Sequence, residues 1–148
     1  MRPRVARFRP GGDLAPKGRR AAFDNAEALC LEMAASLWLR SWPLWAIVRR
    51  CRTRGTPAAG APDRIEASAR RLAGAFAFSA FLLGATDRCL VRGVAATWAC
   101  RRRRLPAALV FGVRIDPFAA HCWVQLGEQV LVGDFDQVRL FTPILTVR

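Results

Sequence analysis

From residue 22 to residue 104 apolar side chains recur at helical spacing, and from 107 to 147 they alternate, so the chain reads as helices first and strands second. Asp24 or Asn25 predicts the start of a first helix, with Leu29, Met33, Leu37 and then Leu44, Ile47 and Val48 as its apolar positions and Pro43 as a kink or break. Trp38, Trp42 and Trp45 lie along it and are expected to pack on the next helix. Arg52 to Pro62 is a linker by its Gly and Pro content. Asp63 then predicts the cap of a second helix, Arg64 to Leu83, with Ile65, Leu72, Phe76 and Leu83 buried and Gly84 at its end. Leu90, Val91, Val94, Ala95 and Trp98 define a third helix that stops at Leu105-Pro106. With Thr86 or Asp87 as its N-cap, Cys89 falls in the first turn. Strand patterns follow at Ala107–Ile115, His121–Leu126, Gln129–Gly133 and Arg139–Val147. Pro143 cannot donate to a ladder, which makes the last an edge or bulged strand. The sum is an α+β fold, N-terminal helices followed by a small antiparallel sheet with the third helix laid upon it.

Composition narrows the class. At 148 residues the chain holds one domain, residues 22–148, with a helical part over 22–104 and a sheet part over 105–148. Residues 1–21 read as a flexible basic arm. The net charge of +13, carried by arginines with Lys17 the one lysine, would attract an acidic peptide, nucleic acid or an anionic membrane. A nucleic-acid-binding protein is therefore one reading of the chain, although no base-reading helix signature accompanies the charge. Arg101–Arg104 is expected to be a solvated helix end. The longest uncharged run, Leu72 to Thr86, is fifteen residues, short of the roughly 20 that span a bilayer. No secretion signal is evident, and five unpatterned cysteines with one histidine fit a reducing, cytoplasmic setting without a structural metal.

The candidate chemistry lies between Cys89 and Asp134. Free N–H groups and the dipole at a helix start favour a thiolate at Cys89. His121, Trp123 and Gln125 point to one side of their strand, Cys122, Val124 and Leu126 to the other. If the following turn is the two residues Gly127-Glu128, His121 faces Asp134 across the hairpin, and Asp136 falls beyond the strand's start; a longer turn would change the partner. A thiol, an imidazole and a carboxylate in this order make a nucleophile, a base and an orienter. Cys30, Cys51, Cys100 and Cys122 read as inert thiols, Cys122 because it faces away from His121.

Asp87 to Arg92, Leu105-Pro106-Ala107, Val110 to Arg114, Asp116-Pro117-Phe118, Ala120 to Val124 and Phe141 to Leu145 form a linked series. Together they resemble the leader-peptidase B protein of lasso peptide biosynthesis, a transglutaminase-like (papain-like) cysteine protease, over roughly residues 22–148. The resemblance implies catalytic Cys89 and His121 with Asp134 or Asp136 as orienter, Asp134 being preferred because it follows Gly133. It implies removal of a leader segment from a ribosomal precursor peptide; an acyltransferase with the same triad is the alternative. No cofactor is expected in this chain. Expected partners are the precursor, a separate leader-recognition protein, and an asparagine-synthetase-like macrolactam synthetase that uses ATP.

Overall fold

The computed structural model describes residues 6–7, 18–52, 61–84 and 88–148. Helix α1 (Arg19–Ser41) starts earlier than Asp24, which lies inside it and is buried. Its buried face is Ala21, Asp24, Ala28, Glu32 and Ala35, whereas Met33 and Leu37 of the expected apolar face are exposed. Small side chains let two neighbouring helices approach closely, and that closeness outweighs burying the larger ones. Pro43 breaks the chain: α1 ends with the Trp42 N–H on the Trp38 carbonyl, and α2 (Leu44–Cys51) begins beyond it, anchored by buried Ile47 and Cys51.

Helix α3 (Pro62–Leu83) opens with Pro62 in its first turn, one residue before the expected cap Asp63, and buries Ala69, Leu72, Ala75, Phe76 and Ser79. Gly84 follows it with φ 78°, a value that suits glycine. Helix α4 (Cys89–Arg102) is the centre of the molecule, buried almost continuously from Arg92 to Cys100 and packed on α1, α3 and the sheet. Thr86 and Asp87, the expected caps, lie outside the described residues; Arg88 is the N-cap and supplies no side-chain bond.

The other end of α4 is closed by two backbone bonds, Leu105 N–H to the Cys100 carbonyl at 2.9 Å and Arg104 N–H to the Arg101 carbonyl at 3.0 Å, with Arg104 left-handed at φ 54°. Arg102 and Arg104 are exposed, as expected of a solvated end, but the run also makes contacts with other helices. Arg103 Nη2 lies 2.6 Å from both Asp24 Oδ1 and Glu27 Oε2, Arg102 pairs with Glu27, and Arg101 donates to the Arg50 carbonyl. Arg101, Arg102 and Arg103 thus fasten α4 to α1 and α2.

Strands β1 (Ala6–Arg7), β2 (Ala107–Arg114), β3 (Ala119–Leu126), β4 (Gln129–Val132) and β5 (Thr142–Val147) form one sheet in the order β1-β4-β3-β2-β5. The last four are antiparallel neighbours; β1 joins β4 in parallel, so two residues of the arm are part of the sheet. β5 is an edge strand with a register irregularity opposite β2 near Pro143, as a residue without an N–H requires. A short helix, α5 (Phe135–Val138), follows β4 where the sequence predicts none. One sheet face, with Leu109, Cys122, Val124, Leu131 and Val147, packs on α4 and its neighbours; the other, with Ala108, Val110, Trp123 and Val130, is covered by Val138 and Phe141. The fold is α+β. Among the described residues no helix is long and apolar enough to cross a membrane.

Candidate active site

Cys89 is the first residue of α4, where backbone N–H groups have no helical partner. It lines a cavity of about 250 Å³ with Phe76, Arg92, His121, Cys122 and Asp134 among its walls. Its thiol is pulled from 9.0 down to about 4, first by a hydrogen bond from the Cys122 thiol and next by one with His121. Burial opposes the shift, while the Cys122 backbone N–H and the charge on His121 add to it. Cys51 and Cys100 show the contrast. Burial pushes the first up to about 11 and the second up to about 12, so both stay protonated and unreactive.

His121 sits near the start of β3, beyond the last pair that β4 makes with it, Val124 to Val132. The ring is held by aromatic neighbours: Trp123 stacks at 6.4 Å between centroids and Phe141 tilts against it at 5.3 Å. Trp123 is buried, fixed by its own N–H to Gln125 Oε1 at 3.0 Å, and lies over Gly112, where a Cβ would meet the indole at 2.8 Å. His121 Nε2 is buried without a hydrogen-bond partner.

Asp134 does not meet the imidazole by the expected route. The turn is Gly127-Glu128 and pairs Leu126 with Gln129 and Gln125 with Val130, but a bulge then sets Val124 opposite Val132. That extra residue takes His121 out of register with Asp134. Gly133, at φ 136° and with a virtual Cβ 2.9 Å from Trp123 Cβ, ends the strand, and Asp134 becomes the N-cap of α5. Its Oδ1 accepts from the N–H groups of Asp136 at 2.9 Å and Gln137 at 3.5 Å. Asp134 still forms part of the cavity wall with Cys89 and His121; Asp136 is not among the residues that do.

The sequence also left unnoticed a buried polar cluster beside the site, of which Arg92 lines the cavity. Glu32, fully buried on α1, accepts from Ser79 of α3 and from Arg92 Nε of α4 at 3.1 Å; Arg92 Nη2 also donates to the Gly84 carbonyl at 3.2 Å. This buried pair ties the α4 start to two other helices, one turn beyond Cys89. A signal existed: Ala21, Ala28 and Ala35 repeat every seven residues, a close-packing face on which an acid such as Glu32 needs a buried partner. Cys122 leaves β3 on the face opposite His121 as expected, and its bond with Cys89 and burial push its thiol up, so it stays protonated; what the alternation did not show is that it meets Cys89.

The tryptophans divide. Trp38 packs edge-on against Trp98 of α4 at 5.5 Å, on a later helix than the expected one, and Trp42 and Trp45 remain 53% and 64% exposed. Trp42 stacks on Trp38, and Arg50 and Arg49 lie over Trp38 and Trp45. Trp38 and Trp42 border a separate basic depression with Arg49, Arg50, Arg52 and Arg101.

A thiolate at a helix start against an imidazole is the apparatus of nucleophilic acyl transfer. A family model described as the transglutaminase-like superfamily matches residues 28–146, which takes in every residue of the cavity. No curated protein and no solved structure matches the chain.

Proposed function

The chain belongs to the transglutaminase-like superfamily, a group of cysteine-protease-type enzymes, and on that premise we propose that it removes the leader segment from a ribosomally made precursor peptide during lasso peptide maturation. The observation that carries the chemistry is the Cys89 thiol at the α4 start, ionised well below neutral pH beside His121. Cys89 sulfur adds to the carbonyl carbon that ends the leader. The backbone N–H of Cys89 is one donor to the oxyanion that forms. As the C–N bond breaks, His121 protonates the departing amine of the core peptide. Water then attacks the thioester with His121 as base, and the leader leaves as a carboxylic acid. The linked motifs between Asp87 and Leu145 support the lasso assignment, and with it a separate leader-recognition protein and an ATP-using macrolactam synthetase as partners. Asp134, at the cavity wall, is the carboxylate assigned to favour the imidazolium.

The test is the precursor peptide incubated with the chain and a leader-recognition protein, read by mass. Cleavage at the leader boundary is expected, and none with Cys89→Ala, whose fold should persist because a half-buried thiol is a small loss. Normal cleavage by that variant would remove Cys89 as nucleophile. A product mass showing the leader acyl group joined to an added amine would assign an acyltransferase instead.

A further inference from the structure

The cavity contains a second thiol that the steps above leave idle. Cys122 is 4% exposed and lines the cavity with Cys89. Strand alternation aims it at α4, on the face opposite Trp123. Helix α4 has a notch to receive it. A Cβ on Gly93, one turn after Cys89, would lie 3.2 Å from Cys122 Sγ and 3.0 Å from Leu109 Cδ1, so the absent side chain is what lets that sulfur sit against the helix start. Pairing of β3 with β4 stops at Val124, and the Cys122 N–H, which β4 does not reach, donates to Cys89 sulfur as the Cys122 thiol does.

We infer that Cys122 is a positioning residue for Cys89: its thiol, seated in the Gly93 notch, donates its S–H to the Cys89 sulfur and holds that atom as an anion beside His121. The inference rests on Cys89 being the nucleophile. A half-buried thiolate has lost part of its hydration and needs donors in place of water. The S–H group is a weak donor to neutral acceptors, but charge on the acceptor strengthens the bond. The titration directions agree, since donation to Cys89 and burial both push the Cys122 thiol up. In this assignment Cys122 keeps its proton while Cys89 gives its own up. During acyl transfer Cys122 neither gains nor loses that proton. When Cys89 becomes a thioester its charge is gone and the bond weakens; when the thioester is hydrolysed the bond returns with the anion. Cys122 thus favours the free thiolate, setting the pH at which the enzyme is armed.

Alkylation of Cys89 by iodoacetamide across pH, mapped by mass to separate it from exposed Cys30, reads the thiolate without any peptide substrate. It therefore decides this role separately from leader removal, which the cleavage assay decides. Cys122→Ala and Cys122→Val, which cannot donate, are expected to move the alkylation midpoint up by about one to two pH units. Cys122→Ser retains a donor and should stay within about half a unit of the parent. Ala is smaller than Cys and Val larger by about a methylene, so the two bracket the packing change and Ser nearly keeps the volume, with melting curves checking each fold. An unmoved midpoint in the donor-less variants would overturn the role. So would a Ser variant shifted as far as Val, because that would assign the effect to packing of the sulfur and not to its proton.

Discussion

Neutralising Asp134 separates two jobs its carboxylate can do. As N-cap of α5 it accepts two backbone N–H bonds, and Asn caps about as well as Asp. In the role proposed for it, its negative charge on the cavity wall shared with Cys89 and His121 supports the imidazole's cation during cleavage, and Asn removes that charge. Asp134→Asn is therefore expected to leave the melting temperature nearly unchanged and to slow single-turnover cleavage about tenfold, well short of the ~10⁴ lost when the hydrogen-bonded carboxylate of a serine triad is neutralised. Asp134→Ala should show the same slowing plus about 1 kcal/mol of lost stability in urea. A larger effect from Asp136→Asn than from Asp134→Asn would move the charge role to Asp136. At this scale the sequence was informative where the determinant is local. Cys89 and His121 were legible because a helix start and a strand alternation each depend on a few neighbours. The pairing of His121 with Asp134 was not, because a bulge between Val124 and Gln125 leaves no mark in the polar pattern. Nor was Cys122: its meaning depends on where α4 lands on the sheet.

Among the elements, α4 is held in place by charge at both ends, and the end near Cys89 is the buried one. Glu32 and Arg92 are 0% and 8% exposed. Removing one partner of such a pair strands the other, which costs about 3–5 kcal/mol, whereas an apolar pair of similar size is often neutral. Glu32→Ala should lose about that much in urea denaturation, and Glu32→Leu combined with Arg92→Met should recover most of it. A single variant within about 1 kcal/mol of the parent would show that the pair does not hold the helix start. The exposed pair between Glu66 and Arg70 on α3 offers a control with little expected effect. The helices themselves were legible; the face of α1 was not. Weighting Leu, Met and Trp over Ala selects Met33 and Leu37 for the core, but the tight approach of α1 to α4 and α3 uses Ala28 and Ala35. α5, four residues long, is too short for any periodicity to announce it.

For the whole molecule, the switch from helical to alternating period at residue 107 foretold the order of the layers, since each layer's period is written in its own residues. The sheet's membership was harder, because edge strands carry the weakest pattern. Ala6 and Arg7 belong to a stretch whose composition reads as an arm, yet they pair with Gln129 and Val130 of the hairpin that leads to the cavity.

That pairing bears on how the protein tolerates trimming. Leu131 and Val132 on the same strand line the cavity, so β1 covers the outer edge of a catalytic wall. Deleting residues 1–17, the step their composition invites, would leave a row of unpaired backbone groups on β4. Bare edges recruit other strands, so the shortened protein should self-associate as its concentration rises, measured by light scattering against the full chain. A shortened protein that stays monomeric at the same concentrations would mean the edge is guarded without its two-residue neighbour. Otherwise, Ala6 and Arg7, in what looks like a dispensable tail, serve as a stopper, and preparations made without them would report the behaviour of aggregates in place of an enzyme.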